Sequence, residues 1–122
     1  TTKNEADRQQ KIKIANSYYS RFDNIRYGPG VVDNGMIREL PREQTLDELA
    51  GNVLIGSPQE MTDRLGPYAD LGIDRVILNT NFGCDAQETL DSIQLFAEEV
   101  MPHFTDGLVT VTPEWAGSYP MF

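Results

Sequence analysis

Two short, uniformly apolar segments constrain the fold of this chain more than any other feature. The first is Val53-Leu54-Ile55, and the second runs from Asp74 to Asn79. Each is followed within a few residues by a helix start, so the middle of the chain has the order β-α-β-α. Strands without polar alternation are buried on both faces, which is typical of a parallel sheet covered by helices. Two strands cannot complete such a sheet, so we predict that the chain carries one end of an α/β fold and not the whole.

The helix starts are marked by capping boxes, in which a capping Ser, Thr or Asp precedes a Glu by three residues. Thr2 and Glu5 predict a helix over residues 3–24, and its apolar face is expected to bury two tyrosines and a phenylalanine. Three further boxes, Thr45–Glu48, Ser57–Glu60 and Asp85–Glu88, predict helices at 46–50, after Ser57 and at 86–101.

The sequence after Ser57 predicts where this helix ends and also predicts a break within it. Gly72, followed by the apolar Ile73, predicts a Schellman motif that ends the helix. Pro67 lacks a backbone N–H group, so we expect a kink or an interruption between Asp63 and Gly66.

The remaining segments predict less regular structure. Residues 28–44 show no clean period and hold three glycines and two prolines, which predicts a long loop. Residues 105–122 predict an irregular tail, with a short strand at Leu108–Val111. We therefore expect a single partial domain over 1–122, divided into a helix (1–27), a loop (28–44), two βα units (45–104) and a tail (105–122).

Charge and composition exclude several classes of function. The formal net charge is −9, which argues against binding to nucleic acid or to an anionic membrane. No Lys or Arg follows Arg75, so this last part has no cationic clamp for a phosphate. A single cysteine excludes an internal disulfide, and no apolar run approaches the length of a membrane span. We expect a cytoplasmic protein.

Residues 52–83 and 88–104 resemble a known enzyme family. The sequences NVLIGSPQEMTDRLGPYADLGIDRVILNTNFG and ETLDSIQLFAEEVMPHF are similar to the C-terminal end of the luciferase-like flavin monooxygenases, which are TIM barrels. The resemblance covers about residues 45–104. It implies that the chain is the C-terminal (βα)2 portion of a (β/α)8 barrel, with the two apolar segments as its seventh and eighth strands and 86–101 as the closing helix.

The resemblance also implies an activity for a longer parent protein. The family uses reduced FMN and O2 to oxidise a small organic substrate, and a branch of the superfamily uses the deazaflavin F420 for hydride transfer. The strands that hold the flavin phosphate in the family precede the part present here. We therefore expect this chain alone to be inactive and to bind flavin weakly or not at all. Its expected partners are the missing N-terminal barrel portion, a second copy in a homo-oligomer, and a small-molecule substrate.

Six residues are candidates for cofactor or substrate binding. A parallel barrel places its sites where strands end, and the stretch LNTNFGCDAQETL brings a polar cluster to such a point. The alternative is an ordinary turn, with Asn and Gly chosen for its geometry. Gly56 and Ser57 hold the equivalent place after the first segment, where helix capping by Ser57 is the competing role. The candidates are Asn79, Asn81, Phe82, Gly83, Gly56 and Ser57.

Other reactive residues have structural interpretations. His103, at the end of the last helix, is interpreted as a helix-end residue and not as a base. Cys84 lies near a helix start, where a thiolate is favoured, but no base lies near it in sequence. Four residues around the loop, Arg26, Tyr27, Arg38 and Arg42, would meet substrate or a phosphate if the loop closes. No catalytic residue is assigned, and no metal site is predicted.

A second function remains open on the sequence alone. The chain could instead be a non-catalytic acidic α/β module that serves assembly or regulation. A bound yellow chromophore in a source protein of about 300 residues or more would favour the enzyme. A flavin-free product of this length alone would favour the module.

Overall fold

The structure, a computed structural model, describes residues 1–105, in which four α-helices and one two-stranded sheet occur. This mixture of helix and sheet is compatible with part of an α/β fold. The strand predicted at Leu108–Val111 lies outside the described residues. The elements are α1 (Glu5–Arg26), β1 (Val32–Asp33), β2 (Met36–Ile37), α2 (Leu46–Asn52), α3 (Pro58–Asp70), α4 (Ala86–Glu99) and a 3₁₀ turn (Met101–His103).

Three of the four predicted capping boxes are confirmed. Thr45, Ser57 and Asp85 each accept a hydrogen bond from the backbone N–H three residues later, and the Glu at that position bonds back to the cap. The first helix is present, but the cap predicted for it is wrong, because Asn4 is the cap and its side chain accepts from Asp7 N at 2.9 Å. Thr2 is buried instead, and its backbone N donates to Gly56 O at 2.8 Å.

Helix α3 ends as predicted but is not interrupted. Ile73 N donates to Tyr68 O at 3.1 Å and Gly72 N to Ala69 O at 2.9 Å, with Gly72 at φ +80°, which confirms the Schellman motif. The helix continues through Pro67, so the predicted interruption does not occur. The carbonyl of Asp63 loses a helical donor there, and Asp63 is exposed to water, which limits the cost.

Neither predicted strand is present in residues 1–105. The segments 53–55 and 74–79 are irregular and form no ladder with each other. Residues 71–79 are all exposed, and Val76 and Ile77 keep 52% and 92% of their accessible surface. The prediction was wrong because a strand exists only when its N–H and C=O groups find a neighbour. Residues 1–105 offer these segments none.

The apolar core of the described residues is small and divided. One cluster joins α1 to α2 and to the first apolar segment through Ile12, Ala15, Leu49 and Ile55. The other joins α3 to the end of α4 through Met61, Leu65 and Val100. The large side chains expected on the buried face of α1 are instead partly open, with Tyr19 at 36%, Phe22 at 44% and Ile25 at 58% exposure. The fold therefore leaves much apolar surface uncovered.

The predicted loop 28–44 contains a short antiparallel hairpin, formed by β1 and β2, that is held against α1. Val32 pairs with Ile37 and Asp33 with Met36, and the turn between them uses positive φ at Asn34 and Gly35. The anchor is Asn24, a fully buried residue of α1. Its side-chain amide donates to Val31 O at 3.0 Å and Arg38 O at 2.8 Å, and its carbonyl accepts from Val31 N at 3.1 Å. One side chain thus ties both ends of the hairpin to α1.

No helix within residues 1–105 combines the length and the apolar composition needed to cross a bilayer.

Candidate functional site

Two cavities meet at Phe82. Cavity A, of about 560 Å³, lies between the outer face of α1, Ile37 of β2 and the turn at 82–83. Cavity B, of about 610 Å³, lies between α1, α4 and the two irregular apolar segments, and it is lined mainly by apolar side chains. Phe82 lines both cavities. It also packs against the core cluster of Ile12 and Leu49, so its position is fixed by the fold.

The structure brings only part of the predicted site together. Asn79 lines cavity B, Gly83 lines cavity A, and Phe82 stands between them. Asn81 is exposed and lines neither cavity. The stretch after the second apolar segment therefore borders two cavities, as a site rim would. Its role in binding stays a prediction.

Gly56 and Ser57 have structural roles where they stand. The Ser57 hydroxyl accepts from Glu60 N at 3.2 Å, and Ser57 N donates to the Glu60 carboxylate at 2.8 Å. Gly56 is buried, and a Cβ atom there would come within 2.7 Å of Glu60 Oε2. This glycine leaves room for the capping carboxylate. Neither Gly56 nor Ser57 lines cavity A or cavity B, although the preceding residue Ile55 lines cavity B.

Gly83 is required by backbone geometry. Its φ of +112° lies in a region that side-chain-bearing residues rarely adopt, and a Cβ atom would lie 3.2 Å from Ile14 Cγ2. The turn can therefore approach α1 closely only with glycine at this position. The same close approach forms the edge of cavity A.

The cation bordering cavity B is already compensated. Lys11 is 4% exposed, and its Nζ lies 3.0 Å from the Asp7 carboxylate one helical turn earlier. The pKa of Asp7 is lowered by hydrogen bonds from Lys3 N and from Lys11, which outweigh the opposing effect of burial. Lys11 therefore offers cavity B an ion pair and not a free positive charge.

The single cysteine and histidine lie outside both cavities. Burial raises the pKa of the Cys84 thiol, and the nearby Glu88 carboxylate raises it further. The helix start at Asp85 does not reverse this, so the thiol is kept protonated near neutral pH. His103 lies exposed in the 3₁₀ turn after α4 and lines neither cavity.

The cations of the loop region are engaged within the fold. Arg38 pairs with Asp33 across the hairpin. Arg42 lies 3.2 Å from the Asp23 carboxylate and 5.7 Å from the Tyr19 ring centroid. Arg26 lies 5.0 Å from the ring centroid of Tyr27. Arg42 links the loop to α1, and none of the four loop-region residues Arg26, Tyr27, Arg38 and Arg42 lines cavity A or cavity B.

Sequence reasoning missed the outer face of α1. Lys13, Ser17 and Arg21 recur at intervals of four residues and line cavity A. The spacing was visible in the sequence, but a polar face of a helix is ordinarily solvated, so the pattern alone did not indicate a cavity. Asn24 was also missed, because nothing local in the sequence shows which carbonyls a side chain will reach.

The chain is similar to an oxygenase. It shares 27% identity over 112 residues with the oxygenase component of the flavin-dependent trigonelline monooxygenase of Acinetobacter baylyi. The similarity covers 86% of this chain but only 31% of that protein, so the chain spans about a third of the length of the relative it matches. No protein-family model and no solved structure matches the chain.

Proposed function

We propose that this chain is the C-terminal part of a luciferase-like, flavin-dependent monooxygenase, to which it contributes the last two βα units of a TIM barrel. The observation that carries the proposal is the exposure of residues 74–79. The centre of this segment, Val76-Ile77-Leu78, is apolar, and Ile77 keeps 92% of its surface accessible. The similarity to an oxygenase component of about three times the length agrees with it.

Exposure of such a segment indicates an absent neighbour. Val76, Ile77 and Leu78 are residues that favour strands, and within residues 1–105 the backbone of 74–84 makes no hydrogen bond. An unpaired apolar strand is unfavourable in water, because its apolar side chains are exposed and its backbone N–H and C=O groups have no partner in a sheet. The proposed occupant of this surface is the preceding part of the barrel.

The capped helices support the same arrangement. Both α3 and α4 begin shortly after an irregular apolar segment, with complete capping boxes at Ser57 and Asp85. This is the local pattern of βα units, in which each strand leads through a short turn into a helix. Once neighbouring strands are present, the two segments need only to align to become strands.

The described residues do not form a flavin site by themselves. A flavin phosphate carries two negative charges and is ordinarily held by several donors. Of the cations that line the two cavities in residues 1–105, Lys11 is paired with Asp7 and Arg21 with Glu39, which leaves Lys13 as a single unpaired positive charge. The groups that hold the cofactor, whether FMN or F420, belong in this proposal to the preceding part of the protein.

The proposed substrate is a small organic molecule. The similar oxygenase carries trigonelline in its name, which identifies the substrate of that protein. The proposed homo-oligomer would bring two such barrels together.

The decisive experiment places one charge in the exposed segment. Ile77→Asp should leave the far-ultraviolet circular dichroism spectrum of this chain alone unchanged, because the Ile77 side chain is almost fully exposed there. In the longer protein the same change should remove bound flavin and lower the melting temperature, since a charge would enter a buried strand. Asp74→Asn is the control, because Asp74 is exposed and lies just before the apolar residues Val76-Ile77-Leu78.

Two outcomes would contradict the proposal. One is that the chain occurs only as a product of this length without flavin. The other is that Ile77→Asp has no effect in a longer protein.

A further inference from the structure

Cavity A combines aromatic rings with positive charge, in a chain whose formal net charge is −9. Its lining includes Tyr18, Phe22 and Phe82, together with Lys13 and Arg21, and the described part of the chain adds no carboxylate to it. Aromatic faces stack on planar apolar groups, and ammonium groups bind carboxylates. The lining therefore favours a ligand that has both features.

Within residues 1–105, one of the two positive charges that line this cavity has no carboxylate partner. Arg21 Nη2 lies 2.7 Å from Glu39 Oε1, which also accepts from the Ser17 hydroxyl at 2.8 Å. Lys13 has no carboxylate partner within 4.0 Å in residues 1–105. A single free cation matches a ligand with a single negative charge better than a doubly charged phosphate.

The walls of cavity A are in place before any ligand arrives. Ile37 belongs to the hairpin that Asn24 ties to α1 with three hydrogen bonds. Phe82 is held by its packing on the core cluster, and Gly83 by its left-handed backbone. A cavity formed from three fixed parts of the chain saves the ordering cost that a flexible site would pay on binding.

We propose that cavity A binds a small aromatic monocarboxylate, with its ring against the aromatic side chains and its carboxylate on Lys13. This site is made entirely from residues of this chain. It requires no flavin chemistry, so it stands or fails separately from the proposed function.

Ligand-observed NMR tests the chemistry of the ligand. Saturation-transfer titrations would compare benzoate, benzyl alcohol and cyclohexanecarboxylate on the full chain or on the longer protein that contains it. Benzoate should bind more tightly than either of the others, since benzyl alcohol lacks the negative charge and cyclohexanecarboxylate lacks the planar ring. Equal affinity for benzoate and benzyl alcohol would overturn the proposal.

Substitutions at Lys13 test the location. Lys13 is exposed, so its replacement leaves the fold intact. Lys13→Gln should weaken benzoate about fivefold, the scale of one charge-assisted contact near the surface, and Lys13→Glu should abolish binding. Arg75→Glu makes the same change in net charge on an exposed residue outside both cavities, and should leave the affinity unchanged. Unaltered binding by Lys13→Glu, or equal weakening by Arg75→Glu, would show that cavity A is not the site.

Discussion

Phe82 and Asn81 are adjacent in sequence but differ in environment. Phe82 packs on the core and separates the two cavities, whereas Asn81 is exposed. The sequence made both residues candidates for cofactor or substrate binding. For Phe82 the structure adds a contribution to stability, because its side chain packs on the core cluster.

We expect Phe82→Ala to lower the free energy of unfolding by about 2 kcal/mol, less than for a fully buried ring. Asn81→Ala should change it by less than about 0.5 kcal/mol, as is usual for exposed positions. Urea denaturation followed by circular dichroism measures both. If the asparagine proved the more costly to remove, Phe82 would not be fixed by the core.

Two glycines allow a matched comparison of backbone effects. Gly83→Ala should destabilise by about 1–2 kcal/mol, since alanine is strained at φ +112° and its methyl group would press on Ile14. Gly51→Ala, in the last turn of α2 with open space around it, should stabilise by about 0.5–1 kcal/mol. Thermal unfolding of the two variants should therefore shift in opposite directions, and a shift in the same direction would contradict the assigned backbone of the turn.

At the scale of the helices, the capping boxes make stability depend on pH. The pKa of Glu60 is lowered chiefly by the hydrogen bond from Ser57 N, and that of Glu48 by the one from Thr45 N. A carboxyl group whose pKa is lowered by folding stabilises the fold above its unfolded pKa. That contribution is lost as the pH falls through the folded pKa.

Acid denaturation should therefore begin as the pH falls below about 4.5, the ordinary pKa of a glutamate. In Glu60→Gln the free energy of unfolding should depend less steeply on pH in this range, because Gln keeps a hydrogen-bonding side chain but does not titrate. The exposed Glu99 makes no capping contact, so Glu99→Gln is the control. Identical acid profiles for the parent chain and Glu60→Gln would show that the box does not hold in solution.

The helices were predictable and the sheet was not, for a physical reason. The caps at Thr45, Ser57 and Asp85 are contacts over three residues, so the sequence contains both partners. Strand formation at 53–55 and 74–79 depends on neighbours far away in the chain or outside it. The hairpin was missed because its anchor, Asn24, acts on carbonyls up to 14 residues away. The rim at Phe82 was predictable from the end of an apolar segment, whereas the cationic face of α1 was not.

At the scale of the whole molecule, two small clusters hold the described residues together. A core of this size supplies little stability, and many large apolar side chains remain exposed. The chain alone should therefore not behave as a stable monomer. We expect light scattering at low micromolar concentration to show association. A cooperative, monomeric unfolding transition would contradict this expectation.

Flavin binding should be correspondingly weak in the chain alone. With one free cation at cavity A and none at cavity B, we expect FMN to bind with a dissociation constant above the micromolar range. Quenching of FMN fluorescence on titration with the chain measures it. A micromolar or tighter constant would mean that this part holds the cofactor phosphate itself.

The exposed segment 74–79 also makes the chain a potential template for aggregation. A flat, unpaired run such as Val76-Ile77-Leu78 can stack with identical runs from other copies into cross-β fibrils. Mutual repulsion between copies, each with a formal charge of −9, opposes this. At 0.1 M ionic strength, salt largely screens repulsion between charges more than about 10 Å apart. Raising the ionic strength should therefore speed fibril growth. The acidic composition would then limit fibril formation by this exposed segment.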